Sequence, residues 1–92
     1  MNIAIVGATG NVGRKTLEVL EQKDFAIDNL YLVASSNSAG KELEFKGKKY
    51  IIENLDTYDF SKAKITFFAA GGKISEQYAE KAAKHTIVID NS

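Results

Sequence analysis

Four short stretches of the chain are almost continuously apolar: Ile3 to Val6, Leu30 to Ala34, Ile65 to Ala69 and Ile87 to Ile89. They do not alternate between apolar and polar positions, and they are rich in β-favouring residues. That pattern belongs to parallel strands covered on both faces. After the first stretch the period changes to a helical one, predicting a helix from Asn11 to Gln22. Val12, Thr16, Val19 and Leu20 fall on one face, with Arg14, Lys15, Glu18 and Glu21 largely outside it. A second helix is predicted from Ile74 to Lys84, with Ser75 as its N-cap, Glu76 in the first turn and Lys81 and Lys84 near the last.

The middle of the chain follows a different rule. Leu43-Glu44-Phe45 and Tyr50-Ile51-Ile52 alternate weakly around Lys46-Gly47-Lys48, which predicts a β-hairpin. It stands where a plain strand–helix–strand unit would place a second crossover helix. Asn54 to Lys64 is a polar connection, anchored by Phe60. Strand–helix–strand, hairpin, strand–helix–strand describes an α/β fold: a doubly wound, mostly parallel sheet of the Rossmann type with an inserted hairpin. Asp90-Asn91-Ser92 follows the fourth strand with no further helix, so residues 1–92 are expected to be a truncated domain whose catalytic and dimerisation part is absent.

Composition narrows the class. At 92 residues there is room for one small domain. Twelve basic residues balance twelve acidic ones without a long run of either sign, which excludes a basic surface for nucleic acid or an anionic membrane. Cysteine is absent, so these residues hold no disulfide, thiolate metal site or cysteine nucleophile. No apolar run approaches the roughly 20 residues that cross a bilayer. The start, Met1-Asn2-Ile3-Ala4-Ile5-Val6, lacks the basic region of a signal peptide. The expectation is a soluble, cytoplasmic protein.

The chemistry begins at Gly7-Ala8-Thr9-Gly10-Asn11-Val12-Gly13, between the first strand and the first helix. Gly7 permits the sharp turn, Gly10 lets backbone N–H groups approach a pyrophosphate, and Gly13 lets the helix pack closely on the sheet. The helix start aims its positive end and free N–H groups at that phosphate, and Thr9 adds a hydroxyl donor. NAD-binding versions of this loop place an acid about 20 residues further on, to hold the ribose 2′-hydroxyl. Here Ala34-Ser35-Ser36-Asn37-Ser38-Ala39-Gly40-Lys41 carries none, which permits the 2′-phosphate of NADP. Ala69-Ala70-Gly71-Gly72 ends the third strand, and its paired glycines allow another close approach of a ligand or simply a tight turn.

In this order and spacing the segments resemble the N-terminal part of the aspartate-semialdehyde dehydrogenase family. There the loop reads Gly-Ala-Thr-Gly-x-Val-Gly, the second strand ends Ala-Ser-x-Arg-Ser-Ala-Gly-Lys, and the fourth runs into Val-Ile-Asp-Asn-Ser. Gly7 to Gly13, Ala34 to Lys41, Ala69 to Gly72 and Val88 to Ser92 occupy those places, so the resemblance covers essentially the whole chain. It implies that Thr9, Gly10, Asn11 and Val12 hold the pyrophosphate, in a cofactor-binding loop that also includes Gly7 and Gly13, and that Ser35, Asn37 and Ser38 surround the adenosine ribose. Gly71, Gly72 and Asn91 are placed toward the nicotinamide. The family's arginine on the NADP 2′-phosphate falls at Asn37, which cannot form a bidentate, charge-assisted pair, so NAD stays open beside NADP. The family reduces β-aspartyl phosphate to the semialdehyde through a thioester on a cysteine, helped by a histidine and arginines. Those groups are expected beyond Ser92, so no catalytic residue is assigned here. The resemblance also implies a parent that is a homodimer or homotetramer.

Other residues read as structural. His85 sits between helix and strand, and Asp56 and Asp59 read as turn caps. The four tyrosines, Tyr31, Tyr50, Tyr58 and Tyr78, form no stacking array for single-stranded nucleic acid, and no metal-ligand cluster is evident. Two further readings stand beside the leading one: a domain like that of N-acetyl-glutamyl-phosphate reductase, and a non-catalytic NAD(P)-sensing domain. A short-chain dehydrogenase needs Tyr-x-x-x-Lys, but four residues after Tyr78 stands Ala82.

Overall fold

The computed structural model describes residues 1–23 and 26–91; Ser92, the last residue of the predicted Val88–Ser92 segment, lies outside them. In chain order the elements are β1 (Asn2–Val6), α1 (Asn11–Gln22), β2 (Asn29–Ala34), β3 (Glu42–Phe45), β4 (Lys48–Ile51), β5 (Glu53–Asn54), a short 3₁₀ turn (Phe60–Lys62), β6 (Ile65–Phe68), α2 (Gly72–Ala83) and β7 (Ile87–Asp90). Five strands form one sheet in the order β5-β2-β1-β6-β7. Every pairing in it is parallel. The chain builds leftward from β1 to β5 and then returns past β1 to β6, so strand order reverses between β1 and β6. That is the switch point at which open α/β sheets form their ligand crevice.

Consecutive apolar residues in β1 go to opposite faces. Ile3 and Ile5 pack with Leu17 and Leu20 of α1, together with Leu30 and Leu32 of β2. Ala4 and Val6 pack with Phe68 of β6 and Ala82 of α2. This two-sided burial accounts for the lack of polar alternation in β1 and β2, whereas β7 departs from the expected cover on both faces, with Ile87 and Ile89 55% and 38% exposed. The hairpin β3–β4 takes the place of a crossover helix between β2 and β5, and its Phe45 joins the α1-side core. Its turn places Lys46 and Gly47 at φ 52° and 75°, as a type I′ turn requires at both central residues.

Three further expectations are corrected. The buried face of α1 consists of Gly13, Thr16, Leu17 and Leu20, while Val12 and Val19 are 44% and 45% exposed. Positions 13, 16, 17 and 20 follow the helical period and face β1 and β2; the two valines lie on a flank that borders a groove with Phe67 of β6. Helix α2 starts at Gly72, two residues before Ile74, with Gly71 as N-cap in place of Ser75, which is a buried helical residue whose amide donates to the Gly71 carbonyl at 3.2 Å. Glu76 is consequently outside the first turn. The polar connection contains β5, which pairs Glu53 and Asn54 with Val33 and Ala34; two polar residues carry no period to read.

Elsewhere in that connection Phe60 and Asp59 follow the sequence reading and Asp56 does not. Phe60 is buried, stacked on Phe68 with ring centroids 6.1 Å apart and edge-on to Tyr58 at 5.2 Å. Asp59 caps the 3₁₀ turn, accepting from the Ser61 amide at 3.0 Å and its hydroxyl at 2.7 Å, bonds that hold its carboxyl below the usual range. Asp56 instead accepts from the Tyr78 hydroxyl at 3.1 Å, and Asn54 makes the turn bond to the Asp56 amide.

The Tyr58 hydroxyl is buried without a hydrogen-bond partner among the described residues, and burial pushes its pKa up. A desolvated, unpaired polar group costs about 1–3 kcal/mol. Tyr58→Phe is therefore expected to leave thermal stability unchanged or raise it. A lowered melting temperature would mean that the hydroxyl is bonded in solution.

Candidate functional site

The loop leaving β1 is fixed by contacts that only glycine permits. Gly7 adopts φ 87°, and a Cβ there would stand 2.7 Å from the backbone of Ala70 in the loop after β6. Its amide donates to the Val33 carbonyl of β2 at 2.8 Å. A single residue thus draws the carboxyl ends of β1, β2 and β6 together. Gly13 is buried in the first turn of α1, where a Cβ would overlap the Gly7 carbonyl oxygen and lie 2.8 Å from Ala8 Cα. Gly10 differs from both. Its φ of −79° suits any residue, and a Cβ would meet nothing nearer than the Gly7 oxygen at 3.6 Å. The fold does not require glycine at position 10. Gly10 is exposed, and the missing side chain leaves the backbone there open on its solvent side.

Helix α1 starts at this loop without a capping side chain and without an acid in its first turn. None of the described hydrogen bonds uses the amides of Asn11, Val12 or Gly13. Helix α2 begins the same way, with Gly71 at φ 99° as an N-cap lacking a side-chain acceptor. A Cβ on Gly72 would meet nothing within 4 Å. Between the two helix starts lies a cleft of ≈ 310 Å³, lined by Gly7, Thr9 and Gly10 on one side and Ala70 and Ile74 on the other. Ser35 and Leu55 form part of its β2 side. Among the described residues no ionisable side chain lines it. The field there is set by two helix N-termini and their free N–H groups, which favour an anion.

The other predicted site residues are distributed around this cleft. Ser35, Asn37 and Ser38 belong to a turn after β2, in which the Ser38 and Ala39 amides donate to the Ser35 carbonyl at 2.9 and 3.0 Å. Asn37 is exposed in that turn, as is Lys41, and neither lines the cleft. Asn91 follows β7 and donates its amide to the Phe68 carbonyl at 2.8 Å. It lines a separate groove with Val12. Sequence reasoning missed Leu55 and Ile74 as cleft residues. Each is an isolated apolar position in a polar stretch or at a helix start, with no local signal of a shared wall.

A parallel sheet whose strand order reverses beside a glycine loop, with two uncapped helices aimed at the reversal, is the architecture of a Rossmann-type nucleotide-binding domain. Over residues 2–92 the sequence matches the family described as semialdehyde dehydrogenase, NAD binding domain, and the chain belongs to that family. It is 50% identical over 92 residues to an aspartate-semialdehyde dehydrogenase of Aquifex aeolicus, covering 98% of this chain and 27% of the relative. A USG-1 protein homologue of Azotobacter vinelandii is 45% identical across 100% of this chain and 28% of its own length. The crystal structure of aspartate semialdehyde dehydrogenase II of Vibrio cholerae, complexed with ASA, superimposes with a TM-score of 0.93 at 45% identity, covering 98% of this chain and 30% of that one. The chain thus spans between a quarter and a third of the length of these relatives.

The glycines separate folding from binding experimentally. Gly13→Ala should destabilise the domain by about 3 kcal/mol or more, because backbone atoms cannot move aside cheaply. Gly10→Ala should cost at most about 1 kcal/mol, the scale of a helix-cap change, while weakening binding of a dinucleotide. Parallel thermal melts and titrations of the two variants check both halves. Equal destabilisation, or undiminished binding by Gly10→Ala, would contradict this division of roles.

Proposed function

We propose that this chain is the cofactor-holding part of an aspartate-semialdehyde dehydrogenase, whose full-length parent reductively dephosphorylates L-aspartyl 4-phosphate to L-aspartate 4-semialdehyde with NADPH. The observation that carries this reading is the cleft itself. Glycine stands at position 10 without a steric need within the chain, beside two free helix starts and no carboxylate. A pyrophosphate suits that environment: it is an anion that needs backbone donors at short range. The amides of Asn11 to Gly13 and the Thr9 hydroxyl are the groups assigned to it. Gly71 and Gly72 leave room for the nicotinamide end, and Ser35, Asn37 and Ser38 stand near the adenosine ribose. When bound, the nicotinamide supplies the hydride. This chain orients the cofactor and excludes an acid from its phosphates.

The nucleophilic half of the chemistry belongs elsewhere in the parent. These 92 residues contain no cysteine, and their one histidine, His85, is at the exposed end of α2. The isolated chain is expected to bind cofactor without turning over a semialdehyde. NADP is the preferred cofactor in this reading, because no acid follows β2 to repel a 2′-phosphate, and NAD is admitted because Asn37 carries no charge. The protein is proposed to act in the cytoplasm, and among the described residues no helix is long and apolar enough to cross a membrane.

Calorimetric titration with NADPH and NADH tests the proposal. Binding of at least one is expected, and silence toward both at millimolar concentrations would overturn it. Asn37→Arg should strengthen NADPH binding by about tenfold relative to NADH, since charge-assisted hydrogen bonds to phosphate exceed neutral ones. An unchanged ratio would remove Asn37 from the adenosine site.

A further inference from the structure

Arg14 is the single arginine of the chain, and it stands at the cleft end of α1. Its amide donates to the Gly10 carbonyl at 3.0 Å, closing the first turn, so its Cα lies only about 4.5 Å along the helix axis from Asn11. Together with Leu17, Glu18 and Glu21 it borders a groove of ≈ 370 Å³ whose other side is Leu43, Glu44 and Phe45 of β3. Arg14 comes first along this flank of the helix. A helical side chain leans toward the N-terminus of its helix, so the guanidinium is carried back toward the loop end of the groove.

The strand across that groove begins where the turn after β2 ends. Ser35 borders the cleft, and the Ser38 and Ala39 amides close the turn on the Ser35 carbonyl. The Gly40 amide then donates to the Ile52 carbonyl and the Ile52 amide to the Lys41 carbonyl, both at 2.8 Å, which fixes the turn at the start of β3. From Lys41 to Leu43 is about 7 Å of extended chain, a distance within the reach of an arginine side chain.

Most other cations of this region are engaged. Lys46 lies over the Phe45 ring at 5.7 Å, Lys48 over the Tyr50 ring at 5.5 Å, and Lys49 pairs with Glu42 at 3.9 Å. Arg14 is exposed and has no ion pair among the described residues, although Glu18, Glu21 and Glu44 line the same groove. Glu18 follows Arg14 by four residues, the less favourable order for a helical ion pair. Lys41, exposed at the end of the turn, is the other cation at hand. A phosphate is matched best by a cation with two parallel donors, which a lysine lacks and which Ser35, Asn37 and Ser38 do not supply.

We infer that Arg14 reads the 2′-phosphate of NADP, taking the part that Asn37 cannot, and so sets the preference of this chain for NADP over NAD. The assignment rests on the proposed cofactor site. Arg14 supplies the charge from the first turn of α1, and Asn37 and Ser38 supply neutral hydrogen bonds from the turn. The pyrophosphate is left to the free amides of the loop.

Calorimetric titration of the 92-residue chain with NADPH and NADH tests this on wild type, Arg14→Gln and Lys41→Gln, with thermal melts to check folding. Arg14→Gln should melt as wild type does, because the side chain is exposed. It should weaken NADPH binding about tenfold, the scale of a charge-assisted bond over a neutral one, and NADH binding by no more than about twofold. Lys41→Gln should change the ratio by no more than about twofold. The wild-type preference should shrink as salt rises. In ¹⁵N spectra the Arg14 Nε–H signal should move with NADPH and stay in place with NADH, a sign of contact that a purely structural role would not give. A ratio unchanged by Arg14→Gln, a ratio abolished by Lys41→Gln instead, or an Nε–H signal indifferent to NADPH would overturn the inference. Silence of the wild-type chain toward both cofactors would overturn the cofactor reading and this assignment with it, so continued binding of NADH tells the two failures apart.

Discussion

The contact on which the rest of this structure depends is the packing of Gly13, in the first turn of α1, against the carbonyl of Gly7. It sets how closely the helix approaches the sheet, and from that distance follow the burial of Leu17 and Leu20 on Ile3 and Ile5 and the direction of the helix axis. The same loop is held laterally by Gly7, against Ala70 on one side and by its hydrogen bond to Val33 on the other. Three strand ends are thereby fixed around one point. The free amides at the start of α1 are aimed at that point as a consequence of helix packing, not as an added device. Binding capacity and core packing share one covalent loop, and only Gly10 is free of the packing half.

Much of this was legible in the sequence because β1 and β2 are buried on both faces and each helix on one. Continuous apolar runs located β1, β2, β6 and β7, and the Lys46-Gly47 turn located the hairpin. The glycine spacing located the loop and assigned Gly13 its close approach. What could not be read depended on neighbours distant in sequence. The apolar residues of α1 extend around more of the helix than the sheet covers, so periodicity alone placed Val12 and Val19 on the buried face. The structure leaves them 44% and 45% exposed, on the flank of α1 that borders a groove with Phe67 of β6. A hydrophobic pattern records that a surface wants a partner, and the partner's position comes only from the topology.

The site shows the same division. Gly7, Thr9, Gly10 and Ser35 are brought together at the cleft, as their motifs implied, whereas Leu55 and Ile74 enter it only because β5 and α2 end beside the switch point. The start of α2 at Gly72 instead of beyond Ser75 matters for the chemistry. It leaves both helices entering the cleft with glycine N-caps and no competing side-chain acceptor. A serine cap with a following glutamate would have satisfied those amides and repelled an anion. Val12 and Asn91 line the groove beside α1 and not the cleft.

The central claim is that the crevice at the β1–β6 reversal holds a dinucleotide by its phosphates. Amide chemical-shift mapping of the ¹⁵N-labelled chain with NADPH tests it most directly. The account predicts saturable shifts centred on Gly7 to Gly13, Ser35 and Gly72, with the hairpin from Glu42 to Ile51 unmoved. Shifts confined to the hairpin or to the groove beside Val19, or none at millimolar cofactor, would contradict it.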